Sequence, residues 1–131
     1  MEEAASSTGP SAVEQLSLAN EFNELGGYYF ALYLTILSGY LVVAYVAGSQ
    51  LTRGQLRLVN AMFVLSSLYF LWSTMTMWLA GLSTYLQAAP DGWVLSLYLT
   101  AALNISLILA MLAGVFAGVK FMNQIRHEKT Q

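Results

Sequence analysis

The side chains of this chain that could do chemistry are mostly amides, hydroxyls and phenols, and they sit where ionisable groups are missing. Asn104 lies in the middle of a long apolar run, where an unpaired amide is costly and needs a hydrogen-bond partner. Asn60, Ser67 and Thr74 recur at intervals of seven, followed by Gly81 at the same spacing. A repeat of seven keeps one face of a helix turned toward a neighbour in left-handed packing. Tyr33 and Tyr40 are also seven residues apart, with Ser38 and Gly39 beside them. A tyrosine deep in an apolar segment directs its hydroxyl to a protein partner or to water. The expected partners are the hydroxyls of the second helix or Asn104. Ala110, Gly114 and Gly118 are spaced by four, a small-xxx-small run that lets two helix backbones approach closely. Such residues recognise other helices; none of them is an acid, a base or a strong metal ligand.

Reaction chemistry finds little to work with elsewhere. The one histidine, His127, stands between Arg126 and Glu128 in a charged tail and reads as solvated. Cysteine is absent, which excludes disulfides and thiolate metal sites. No histidine lies in an apolar segment to hold haem or copper, and no cluster has metal-ligand spacing. A serine nucleophile needs a base within hydrogen-bond reach, and none lies near the serines of the apolar runs. Asn104-Ile105-Ser106 matches the glycosylation pattern, but its place inside an apolar helix makes it a false match. The chain offers no basic patch for nucleic acid beyond a short tail. No enzymatic activity, cofactor or metal is therefore expected, and a small-molecule ligand is not the favoured reading of the tyrosine pair.

The elements that must position these residues follow from charge and hydropathy. The chain has 131 residues, 57% hydrophobic and 9% charged, against about 25% charged in a soluble domain. No charged residue occurs between Glu24 and Arg53, between Arg57 and Asp91, or between Asp91 and Lys120. Each gap exceeds the roughly 20 apolar residues that span a hydrocarbon core about 30 Å thick. Lipid cannot satisfy exposed backbone groups, so the spans must be helices; the apolar runs are continuous, whereas barrel strands alternate. The gaps predict helices over about 27–48, 58–83 and 93–121, the third about 43 Å long and therefore tilted or projecting.

Orientation follows from the bases. Arg53 and Arg57 occupy the first loop, and Lys120, Arg126 and Lys129 the end of the third span and the tail. With three spans these segments lie on one side, and the acidic N-terminal segment and the loop holding Asp91 lie on the other. The positive-inside rule then places the N-terminus outside and the C-terminus in the cytoplasm, in a plasma or inner membrane. An acidic lead and an apolar run of more than 20 residues do not fit a cleaved signal peptide.

Residues 1–10 are small and polar and read as a flexible lead. Ser11 and Glu14 have capping-box spacing, which predicts a short amphipathic helix in the segment 11–26. Its acidic side holds Glu14, Ser17, Glu21 and Glu24, and its apolar side Ala12, Leu16, Ala19 and Phe22. This helix packs on protein, or else is a solvated extension of the first span; Gly26-Gly27 would turn the chain inward. Thr52 and Gln55 repeat the capping spacing before the second span. Pro90-Asp91-Gly92 signals a turn, and Tyr28, Tyr29, Tyr85 and Trp93 collect at the expected outer boundary, where amphipathic rings settle. The expected architecture is an all-α membrane protein: a short N-terminal amphipathic helix, a three-helix transmembrane domain over 27–122 and a short basic cytoplasmic tail over 123–131.

Two functions suit such a chain. It is a structural or accessory subunit whose helix faces bind the same chain or other transmembrane helices, in a homo-oligomer or a larger membrane complex. Alternatively it is a homo-oligomeric pore, in which several copies turn hydroxyls inward around a water path. The topology is similar to that of one class of phage holin, a likeness of topology alone with no shared motif. The small-residue face of the third helix fits an internal contact or a seam between protomers. The hydroxyl stripe of the second helix meets protein in one case and a lumen in the other.

Overall fold

The computed structural model describes residues 10–48, 50–88 and 94–128 and contains three long helices, α1 (Ala12–Ala47), α2 (Arg53–Ala88) and α3 (Val94–Glu128). All three are long and apolar enough to cross a membrane. At about 1.5 Å per residue, helices of 36, 36 and 35 residues run to roughly 54 Å, well past a 30 Å hydrocarbon core. Each therefore carries its polar ends beyond the apolar stretch.

The two capping signals form as their spacing implies. The Ser11 amide donates to Glu14 Oε2 at 2.7 Å and the Glu14 amide to Ser11 Oγ at 3.3 Å, two otherwise orphaned donors satisfied at the start of α1. Before α2, the Thr52 amide donates to Gln55 Oε1 at 3.0 Å and the Gln55 amide to Thr52 Oγ1 at 3.3 Å.

One expected element is not separate. Residues 12–25 are the first part of α1, which continues without a break through Gly26-Gly27 to Ala47. A glycine inside a helix weakens it by only about 1 kcal/mol and does not force a turn. Gly26 is also needed where it stands: a Cβ there would run into the indole of Trp78. The acidic residues Glu14, Glu21 and Glu24 are exposed on this extension, while Ala19 is fully buried and the Ala19 carbonyl lies beside Gly81 of α2. The segment is thus both an extension of the first helix and packed on protein along one side.

Both ends of α2 and the C-terminal end of α3 also lie beyond those predicted. α2 starts at its capping box and runs to Ala88, and α3 runs on to Glu128 through residues 123–128, a stretch without glycine or proline to stop it. The lead over 1–9, the Pro90-Asp91-Gly92 turn, Trp93 and the last residues 129–131 lie outside the described residues.

The contacts give an up–down–up order. Along α1 and α2 the partners run in opposite senses: Gly26 meets Trp78, Tyr29 faces Phe70 with ring centroids 6.4 Å apart, and Tyr40 meets Phe63. Along α1 and α3 they run in the same sense, from Tyr33 with Gly114 to Tyr40 with Gly118 and Gly48 with Met122. α1 and α2 form the closest pair, and α3 leans against both. This order brings Arg53, Arg57 and Lys120 to one end and Glu14, Glu21 and Glu24 to the other.

The core is a thin seam. Tyr40, Ala44, Leu56, Phe63 and Met122 form its main cluster, and large apolar residues such as Val42, Leu65, Trp72, Leu103 and Phe116 are exposed on the outside. A soluble bundle hides such residues, whereas a helix facing lipid has no reason to.

Candidate helix-association surfaces

The heptad positions on α2 fall on its inward side, and the two ends of the stripe meet α1. Ser67, Thr74 and Gly81 are buried and Asn60 is half-buried. Gly81 approaches Asn23 and the Ala19 carbonyl so closely that a Cβ would lie 2.9 Å from Asn23 Oδ1. At the other end of the stripe, Asn60 Oδ1 accepts the Tyr40 hydroxyl at 2.7 Å. The ring of the same tyrosine stacks on Phe63, with centroids 3.8 Å apart and planes 11° from parallel.

Between these ends the stripe holds two orphans. Ser67 Oγ and Thr74 Oγ1 are fully enclosed and have no hydrogen-bond partner among the described residues. Buried hydroxyls are usually bonded, and an unmet one costs about 1–3 kcal/mol. By contrast, several exposed hydroxyls are bonded within their own helices. Thr35 donates to the Ala31 carbonyl, Thr76 to Trp72 and Ser106 to Leu103, at 3.0, 2.7 and 2.7 Å. Back-bonding of this kind makes a hydroxyl compatible with lipid.

Tyr33 is 1% exposed. Its hydroxyl reaches neither the α2 hydroxyls nor Asn104 but donates to the backbone carbonyl of Met111, 2.6 Å away on α3. A backbone acceptor is not encoded in the spacing of side chains. Gly114 makes room for this bond, because a Cβ there would strike the Tyr33 hydroxyl.

The small-residue run of α3 is divided. Gly118 is buried against the rings of Phe63 and Tyr40, with 3.3–3.4 Å to a would-be Cβ, and Gly114 is half-buried on Tyr33 and Leu37. Ala110 is exposed and does not belong to the packed face. A step of four residues overshoots a helical turn by about 40°, so over two steps the run drifts roughly 80° out of the contact. The buried positions of α3 follow the heptad Met111–Gly118 together with Met122 instead.

Asn104 is half-buried in a groove of about 150 Å³ between α2 and α3, beside Trp78, Leu79 and Ile108. Its amide forms no hydrogen bond with a described residue. Of the ten residues singled out, the structure brings Tyr40 to Asn60 and Tyr33 to Gly114, sets Gly118 against the first of these pairs, and leaves Asn104 and Ala110 apart. Met111 lies on the same side of α3 as the small-residue run by helical spacing and is buried. Trp78, Phe63 and Met122 are among the packing residues that spacing did not reveal; a large aromatic opposite a glycine was the signal available for the first. Comparison with protein-family models, with curated proteins and with solved structures found no match to this chain.

Proposed function

We propose that this chain is a three-span integral membrane protein that works by helix–helix association, as a structural or accessory subunit of a homo-oligomer or a larger membrane complex. In this reading the acidic end of the bundle faces outside and the basic end faces the cytoplasm, following the one-sided distribution of lysine and arginine. The observation that carries it is the direction of the polar groups. The α2 stripe is turned inward, with its two ends on α1, and exposed hydroxyls such as Thr35, Thr76 and Ser106 are bonded to their own helices. The outer surface left over is apolar, suited to lipid and to other helices. Asn104, whose amide has no hydrogen bond among the described residues in the α2–α3 groove, is the polar group best placed to specify a partner helix. We assign the chain no catalytic step, because no base accompanies its membrane hydroxyls.

A homo-oligomeric pore is the second reading, and one observation favours it. Ser67 Oγ and Thr74 Oγ1 lack partners among the described residues, as they would if water lined them in an assembly. Ion or dye flux from liposomes loaded with the purified protein separates the two. The structural reading expects leakage no faster than from protein-free vesicles. Flux that falls in Ser67→Ala or Thr74→Val at unchanged copy number would replace it with the pore.

A further inference from the structure

A groove of about 730 Å³ lies between α1 and α3, at the basic end. Leu41 and Tyr45 form one wall, Ala117 and Phe121 the other, and Gly114 and Gly118 contribute to its floor. It is apolar along its length except at the end of α3, where Lys120 and Gln124 enter its lining. From Gly114 to Gln124 it extends about 15 Å along α3 at 1.5 Å per residue, which is half of a hydrocarbon core about 30 Å thick. A groove one leaflet deep, greasy below and cationic at the mouth, has the shape and polarity of a single acyl chain with a charged head.

We infer that this groove binds an anionic phospholipid of the leaflet at the basic end, with an acyl chain along Gly114 and Gly118 and the headgroup phosphate at Lys120. The site rests on the membrane reading above. Charge decides between lipid and a second copy of the chain. No Asp or Glu occurs between Glu24 and Asp91 or between Asp91 and Glu128, so the spans of another copy bring no carboxylate to Lys120. Glu128, the acid at that end, lies about 12 Å farther along the helix. A lysine stem can lie along apolar surface while its ammonium reaches the headgroup level, and each lysine near the surface adds favourable attraction to anionic lipid.

Native mass spectrometry of the full chain, titrated with phosphatidylglycerol or with phosphatidylcholine of the same acyl chains, tests the site. The wild type should retain phosphatidylglycerol about fivefold more tightly, the ratio one surface lysine supplies. Lys120→Gln should bring the ratio near one, and Ala117→Trp, which fills the groove, should weaken both lipids. Ala113→Trp, on an exposed position of α3 outside the groove, controls for damage to the helix and should leave both unchanged. Equal binding of the two lipids by the wild type, a preference that survives Lys120→Gln, or full binding by Ala117→Trp would overturn the proposal. A disulfide between two copies of Ala117→Cys that forms regardless of added phosphatidylglycerol would overturn it too, assigning the groove to a second copy. Alkaline carbonate washing of membranes separates the levels of failure. Release of the chain would defeat the membrane reading itself, whereas retention without a phosphatidylglycerol preference would defeat the lipid site alone.

Discussion

The Tyr33 hydroxyl donates to the Met111 carbonyl at 2.6 Å, joining α1 to α3 across 78 residues of sequence. The bond lies at the buried centre of the bundle, and Gly114 leaves the space it occupies. Tyr33→Phe keeps the ring and removes the donor. Interhelical hydrogen bonds in membranes average only about 0.6 kcal/mol, so the variant should unfold in detergent at slightly lower denaturant and keep its helix content. Tyr33→Ala opens a cavity as well and should lose several times more, on the scale of about 3–5 kcal/mol for an aromatic truncation. Equal loss in the two variants would show that the hydroxyl, not the ring, dominates.

Gly26 and Gly27 are neighbours with opposite surroundings. A Cβ on Gly26 would collide with the Trp78 indole, and a Cβ on Gly27 would meet nothing within 4 Å. Gly26→Ala should therefore destabilise by about 1–3 kcal/mol, the usual cost of overpacking. Gly27→Ala should be neutral or stabilising by up to about 1 kcal/mol, because alanine is the better helix former. Detergent unfolding curves of the two variants check this; the reverse order would mean that α1 breaks at this pair after all.

Much of the architecture is legible in the residues themselves, because lipid imposes simple rules. Three charge-free gaps announce three helices, and the Thr52/Gln55 spacing announces where the second begins. The Ser11/Glu14 spacing announces a helix start, but of what reads as a separate short helix rather than of the first span. The inward turn of Ser67, Thr74 and Gly81 follows from their interval of seven. What stays hidden depends on the partner across the interface. Gly26-Gly27 reads as a turn until Trp78 is seen against it. Tyr33 finds a backbone acceptor, which leaves no trace in side-chain spacing. Ala110 shares the interval of its glycines but drifts off the contact, since a four-residue step and a helical turn do not coincide.

Thr74 combines complete burial with a hydroxyl that has no partner among the described residues. Thr74→Val conserves shape and removes the orphan, so stability should rise, by about 1 kcal/mol or more given the penalty for an unpaired buried hydroxyl. A fall in stability would mean that the hydroxyl has a partner in the assembled protein. Unfolding measured once in dilute detergent and once in the assembled state distinguishes these outcomes.

Arg53, Arg57 and Lys120 gather at one end of the bundle and the α1 acids at the other, which makes orientation testable in a chain without cysteine. Single cysteines at Ser7, Gln55, Ala89 and Thr130 should divide by side. An impermeant thiol reagent on intact cells should label those at Ser7 and Ala89 and spare those at Gln55 and Thr130. Protection at Ser7 with labelling at Thr130 would invert the topology.

Association between helices is the central property proposed for this protein, and its mass after gentle release from its own membrane tests that most directly. Native mass spectrometry should find this chain in a complex of fixed composition, either several copies of itself or a constant ratio with another membrane protein. Asn104→Leu should shift that composition while helix content stays the same, since the amide lies in the α2–α3 groove with no bond inside the described chain. A lone monomer, found in several mild detergents and in detergent-free lipid particles alike, would contradict the account.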